Sequence, residues 1–268
     1  FMEWSSLLLG TIFLRPYVFV FLAVYLTIAI LNMGLVRSII FTLLAYTIAF
    51  ISEYSSTRIG FPYGFYEYID TTRGQELWIS NVPFMDSLSY SFLAYVSYTM
   101  ALFLWSPLKI NQWDIRLIEN SLVRSSLRVV FTGAIFFMLM DVIIDPIAFQ
   151  GDRWFLGKIY TYKEQGEYFN IPLTNFFGWL LVGSCILYGF TQVDRNLDQI
   201  ISYKEQEIPA QALLGPALYF GVLFFNLAVT FYIGEWALGA CGISLTLMLL
   251  WLLYQKVRCP EKFSIKAR

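Results

Sequence analysis

The chain of 268 residues contains no histidine. That absence excludes haem ligation by imidazole, non-haem iron held by histidine and carboxylate, zinc sites built on histidine, and Ser-His-Asp catalysis. An oxygenase working through a histidine-rich di-iron centre is excluded with them. Charge is also scarce, at 14% of residues with a net charge of −1, and no basic run suggests nucleic acid as a partner. The three cysteines, Cys185, Cys241 and Cys259, are scattered and make neither a disulfide framework nor a metal-ligand spacing. A Gly-rich phosphate loop and a dinucleotide fingerprint are both missing. The expectation is therefore a site with no metal and no cofactor, in which carboxylates and tyrosines handle protons.

What the chain has in excess is apolar surface. Hydrophobic residues make up 58% and aromatics 19%, and the mean hydropathy is +0.61. A soluble globule of this length cannot bury that much, because its shell must face water. Lipid is the solvent that fits these numbers. Hydropathy predicts seven spans, near residues 17–33, 37–58, 82–108, 127–149, 172–190, 212–232 and 235–254. The predicted fold is an all-α polytopic membrane helix bundle, and residues 1–268 read as one integral membrane domain without an internal repeat or linker. Phe1-Met2-Glu3-Trp4 is followed by no basic region and small-residue cleavage site, so no secretory signal peptide is expected. Residues 7–14, running into Arg15-Pro16, are too few to cross a bilayer and read as an interfacial lead-in. The seventh span holds no lysine, which removes the attachment point for a retinal Schiff base.

Lysine and arginine orient these spans. Arg37, Lys109, Arg116, Arg124, Arg128, Arg195, Lys204, Lys256, Arg258, Lys262, Lys266 and Arg268 fall on one side, twelve in all. Arg15, Arg58, Arg73, Arg153, Lys158 and Lys163 fall on the other, six in all. The positive-inside rule then places the N-terminus outside and the C-terminus in the cytoplasm.

On this frame the acids gather near the outer face. The second span rises from Arg37, so Glu53 lies about 24 Å up the helix. Asp141 and Asp145 occupy the outer end of the fourth span, Asp86 opens the third, and Glu235 starts the seventh. An unpaired charge in lipid costs at least about 2.5 kcal/mol, so embedded carboxylates are functional candidates. The competing reading is a helix cap or a side chain reaching to the interface, and it fits Glu235 best. Asp141, the deepest, fits it least. The spacing of four puts Asp141 and Asp145 on one helix face, where like charges do not readily both ionise. One of the two is expected to hold a proton, which suits general acid-base work. Pro146 predicts that the helix bends or ends at Asp145.

Glu53-Tyr54-Ser55-Ser56-Thr57-Arg58-Ile59-Gly60-Phe61-Pro62-Tyr63-Gly64-Phe65-Tyr66 resembles a block in a family of membrane carotenoid-biosynthesis proteins that includes carotenoid hydratases. Two further blocks agree with it in order and spacing. They are Asn81-Val82-Pro83-Phe84, and Asp141-Val142-Ile143-Ile144-Asp145-Pro146-Ile147-Ala148 leading through Trp154 to Asn170-Ile171-Pro172-Leu173-Thr174-Asn175-Phe176-Phe177-Gly178-Trp179. The resemblance covers roughly residues 50–180. It implies a cofactor-independent enzyme that adds water to the terminal double bond of an acyclic carotenoid, with a carotenoid or other long isoprenoid and membrane lipids as partners.

The implied chemistry protonates a trisubstituted alkene, giving a tertiary carbocation that water captures. Asp141 is the expected acid, Asp145 or Glu53 the group that holds water, and Asp86 the reserve carboxylate. Tyr63, Tyr66, Trp154 and Trp179 are expected to line the cation site, with interfacial anchoring as their alternative role. Asn175 is expected to hydrogen-bond an acid or the water, or else to cap a helix. Two other functions fit the same residues. One is a cyclase that captures the cation with an internal double bond, and the other is a pigment carrier without catalysis.

Overall fold

The computed structural model describes residues 2–265. Phe1, Lys266 and Arg268, all used in the reading above, lie outside the described residues. The helices are α1 (Met2–Leu14), α2 (Pro16–Ile59), α3 (Phe84–Trp105), α4 (Ser121–Arg124), α5 (Leu127–Phe149), α6 (Leu173–Leu197), α7 (Leu214–Tyr232), α8 (Trp236–Arg258) and α9 (Pro260–Phe263). Six short strands, β1 (Tyr66–Tyr68), β2 (Trp78–Ile79), β3 (Val82–Pro83), β4 (Leu108–Asn111), β5 (Asp114–Leu117) and β6 (Tyr160–Tyr162), pair antiparallel as β1 with β6, β2 with β3, and β4 with β5.

Among the described residues six helices are long and apolar enough to span a membrane, and α2 makes two crossings. As a straight rod its 44 residues would run about 66 Å, twice a hydrocarbon core of about 30 Å. It does not run straight, because Gly34 leaves helical geometry at φ 81° and ψ 166°. Only glycine occupies that region readily, and the turn it makes brings Tyr25 Oη within 2.7 Å of Thr42 Oγ1 across the two arms. Residues 16–33 and 35–59 are thus antiparallel spans, and the chain is a seven-span helical membrane protein. The 13-residue α1 reaches only about 20 Å, short of a crossing.

α3 runs through the middle of the bundle and is buried on almost all sides, packing on α2, α5 and α7. α8 sits at the periphery and shows Leu247, Leu250 and Trp251 outward, as a lipid-facing helix does. The two ends of the bundle are closed differently. At one end, Arg15 holds Glu76 at 3.1 Å, while β1 and β6 pair across the bundle. At the other, Arg37 from the second arm of α2 is gripped by Asp194 and Asp198 of α6 and its C-terminal edge, at 2.6 and 2.7 Å. Arg124 joins the same two carboxylates and also pairs with Glu119, so two guanidiniums face three carboxylates.

Helix α5 does not end at Asp145. It continues through Pro146 to Phe149, so of the bend or end expected there the end is not found. Proline removes one backbone donor, yet only three residues of helix follow it. The phenol of Tyr160 donates to the Asp145 carbonyl at 3.1 Å, supplying a partner from outside the helix.

Candidate active site

Three spans bring four carboxylates to the end closed by β1 and β6. Glu53 sits on the second arm of α2, Asp86 in the first turn of α3, and Asp141 and Asp145 on α5. All four line one cavity of about 80 Å3. Asp141 is 0% exposed, Glu53 2% and Asp145 9%, while Asp86 is half-buried and borders an adjoining cavity as well. Tyr63, Tyr66, Asn175 and Trp179 line the same space. Trp154 does not. It lies in the adjoining cavity of about 90 Å3, with its indole N–H donated to the Ile147 carbonyl at 3.0 Å. Glu235 is also elsewhere, paired with Arg153 at the surface.

The two aspartates have unlike surroundings. Asp145 accepts three hydrogen bonds, from Tyr160 Oη at 2.5 Å, Tyr162 Oη at 3.0 Å and Asn175 Nδ2 at 2.9 Å. Asp141 accepts one, from the same Asn175 nitrogen at 2.8 Å to Oδ2, and its buried Oδ1 has no partner. Three donors aimed at one carboxyl favour its ionised form, and a carboxyl with a single donor beside it is the better place for a proton. Asn175 reaches both because α6 starts immediately after Pro172, which sets the asparagine on the first turn facing α5.

Glu53 accepts a short hydrogen bond from Ser87 Oγ, and Asp86 accepts one from Tyr68 Oη at 2.5 Å. Four phenols, Tyr66, Tyr68, Tyr160 and Tyr162, thus form a lid over the carboxylates. Its basis is the register of β1 against β6, which sets Tyr66 opposite Tyr162 and Tyr68 opposite Tyr160. Burial above all, and next the Asp145 carboxylate, pushes the Tyr160 and Tyr162 phenols well above their ordinary range. Burial and then Asp86 do the same for Tyr68. These phenols therefore stay protonated and act as donors. Tyr68, Ser87, Tyr160 and Tyr162 were not singled out from the sequence; the alternations Tyr66-Glu67-Tyr68 and Tyr160-Thr161-Tyr162 were the available signals, and three residues are too few to read as a strand with a buried face.

An aromatic wall closes the opposite side. Trp179 stacks on Tyr90 at 4.6 Å and 14°, with Phe137 at 4.6 Å and Tyr63 at 6.3 Å. Gly178 permits this approach, since a Cβ there would lie 2.5 Å from the Tyr63 ring and 2.9 Å from the Pro62 carbonyl oxygen. The adjoining cavity, with Tyr17, Phe21, Phe92 and Phe225 on its walls, shares Ser89, Leu93, Ile144, Ala148 and Ile159 with the acid cavity. An apolar compartment thus abuts a proton-handling one. Among the described residues no cluster of histidine, cysteine or carboxylate has the arrangement of a metal site.

Fold and site together define an integral membrane protein with a buried carboxylate and tyrosine centre at one end of a helical bundle. A family profile described as carotenoid biosynthesis protein matches residues 5–250, and the chain belongs to that family. No curated protein and no solved structure shows significant similarity to it.

Proposed function

We propose that the chain is a hydratase that adds water to the terminal double bond of an acyclic carotenoid end. The observation that carries this reading is the partnerless, buried Oδ1 of Asp141 beside a donor-saturated Asp145 in one small cavity. Asp141 gives its proton to the less substituted alkene carbon, forming a C–H bond and leaving a tertiary cation at the other carbon. The faces of Tyr63, Tyr90 and Trp179 shield that cation. Water on the Glu53 and Asp86 side of the cavity adds its oxygen to the cation, forming the C–O bond. The proton it sheds goes to one of those carboxylates and returns to Asp141 through the cluster, so acid and base are restored without a cofactor. The polyene lies in the adjoining aromatic compartment, and Trp154 contributes there.

The polarity of the acid cavity favours hydration over cyclisation. A cyclase must keep water from its cation, whereas four carboxylates and four phenols hold water in place. The test is turnover of an acyclic carotenoid in 18O-labelled water. Label in a new tertiary hydroxyl supports the hydratase; a ring carrying a solvent proton, or bound and unchanged pigment, overturns it. We also place the acid end on the outer face and the C-terminal tail in the cytoplasm, on the bias of lysine and arginine. Labelling of exposed Cys259 by a membrane-impermeant thiol reagent from the outside of intact cells would reverse this orientation.

A further inference from the structure

A cavity larger than the acid site is also present. It lies at the opposite end, encloses about 320 Å3, and is within the size range of ligand pockets. α3 supplies its inner wall, the β4–β5 hairpin one side, and residues 203–206 the other. Nothing in the hydration chemistry uses it.

Its lining divides into an apolar depth and a charged mouth. Met33, Leu102 and Leu117 stand among the apolar side chains. Four cations border it, Lys109, Arg116, Arg124 and Lys204, together with two acids, Glu119 and Glu205. The arginines are already committed. Arg116 holds Asp114 at 2.9 Å, and Arg124 holds Asp194, Asp198 and Glu119. Among the described residues no side-chain hydrogen bond or ion pair holds Lys109 or Lys204, so two ammonium groups at the mouth keep their donors free. A second observation points inward. Tyr98 is 1% exposed, its side chain borders the cavity, and its hydroxyl has no hydrogen-bond partner. Buried polar atoms without partners are rare, and one facing a cavity marks a place where a ligand oxygen would complete the bonding.

We propose that this cavity binds an anionic phosphodiester headgroup, its single negative charge between Lys109 and Lys204, an oxygen on the Tyr98 hydroxyl, and the first methylenes of its chain against Met33 and Leu102. Two free ammonium groups suit one phosphate, and the apolar depth selects an amphiphile. Basic pockets at this level of a helical bundle recognise anionic lipids by the same physics.

The test uses purified full-length protein in a neutral detergent, with binding read by native mass spectrometry and by thermal unfolding. Phosphatidylglycerol, phosphatidylcholine and soluble glycerophosphoglycerol are titrated separately. Phosphatidylglycerol is expected to bind best, and the Lys109→Ala/Lys204→Ala pair to weaken it roughly tenfold or more. Lys109→Arg/Lys204→Arg should keep the binding. Tyr98→Phe, which changes no volume in the core, should weaken it as well and keeps the test decisive if the alanine pair does not fold. Saturation by glycerophosphoglycerol at the same concentration as the lipid would keep the headgroup chemistry but make its source soluble. Equal binding of phosphatidylcholine, or affinity for phosphatidylglycerol unchanged by all three variants, would overturn the proposal.

Discussion

Replacing Asp141 by asparagine separates a proton donor from a structural carboxyl, and its contrast with Asp145→Asn is worked from the hydrogen bonds. At position 141 the amide oxygen can still accept from Asn175, and the amide nitrogen takes the place of an oxygen that has no partner. An unpaired buried donor costs about 1–3 kcal/mol, but protonated Asp141 already presents an unpaired O–H at that atom, so the exchange adds little. Stability should therefore fall little. Turnover should fall by roughly 10²–10⁴-fold, because an amide cannot protonate an alkene, which is about 3–5 kcal/mol on the barrier. Asp145→Asn is expected to show the opposite pattern. It sets an amide nitrogen against groups that are themselves donors, Tyr160, Tyr162 and Asn175. It should cost about 1.5–3 kcal/mol of stability and leave part of the activity. The assay is product formation from an acyclic carotenoid by purified variants, followed by mass, with thermal unfolding in the same detergent. Wild-type turnover by folded, pigment-binding Asp141→Asn would refute the assignment and move the proton donor to Glu53.

Tyr160→Phe and Tyr162→Phe each remove one donor from Asp145, so the proton should pass more readily from Asp141 to Asp145; reduced turnover with pigment binding retained is expected, and unchanged kinetics in the double variant would dismiss the lid from the chemistry. Gly34→Ala meets no atom within 4 Å of the new Cβ, so its effect is purely of the backbone. It should destabilise the protein by about 1–3 kcal/mol in thermal unfolding, and a neutral result would contradict the strained turn between the two arms of α2. Arg37→Ala leaves the buried Asp194 carboxylate with Arg124 alone and should cost up to about 3–5 kcal/mol, whereas Arg116→Ala, on a more exposed side chain, should unfold near the wild-type temperature. Equal effects of the two would mean that the Arg37 network is not holding that end of the bundle.

Depth was legible from the sequence because a helix rises a constant distance per residue. Counting from Arg37 to Glu53, and along 127–149 to Asp141 and Asp145, puts the carboxylates at one level. The spans were legible for a related reason. Lipid demands about 20 apolar residues for each crossing, a signal long enough to survive local noise, and Gly34 fell in the gap between the first two. The motif blocks from Glu53 to Trp179 carried the family. Rotation about each helix axis was not legible, since in lipid the outward face is as apolar as the inward one and hydropathy does not tell them apart. Tertiary packing alone decided that Asn175 lies between two aspartates on another helix, that Trp154 faces a neighbouring cavity, and that Arg37 meets Asp194 from more than 150 residues away. The tyrosine lid is the furthest from sequence reading. Tyr66 and Tyr162 become neighbours only when two three-residue strands pair, and their pairing is held by the helices that bring those loops to the same end of the bundle. The seven-span bundle and the depth of its acids were thus set by local, repeating chemistry, while the division of Asp141 from Asp145 was set by donors that only the folded chain assembles.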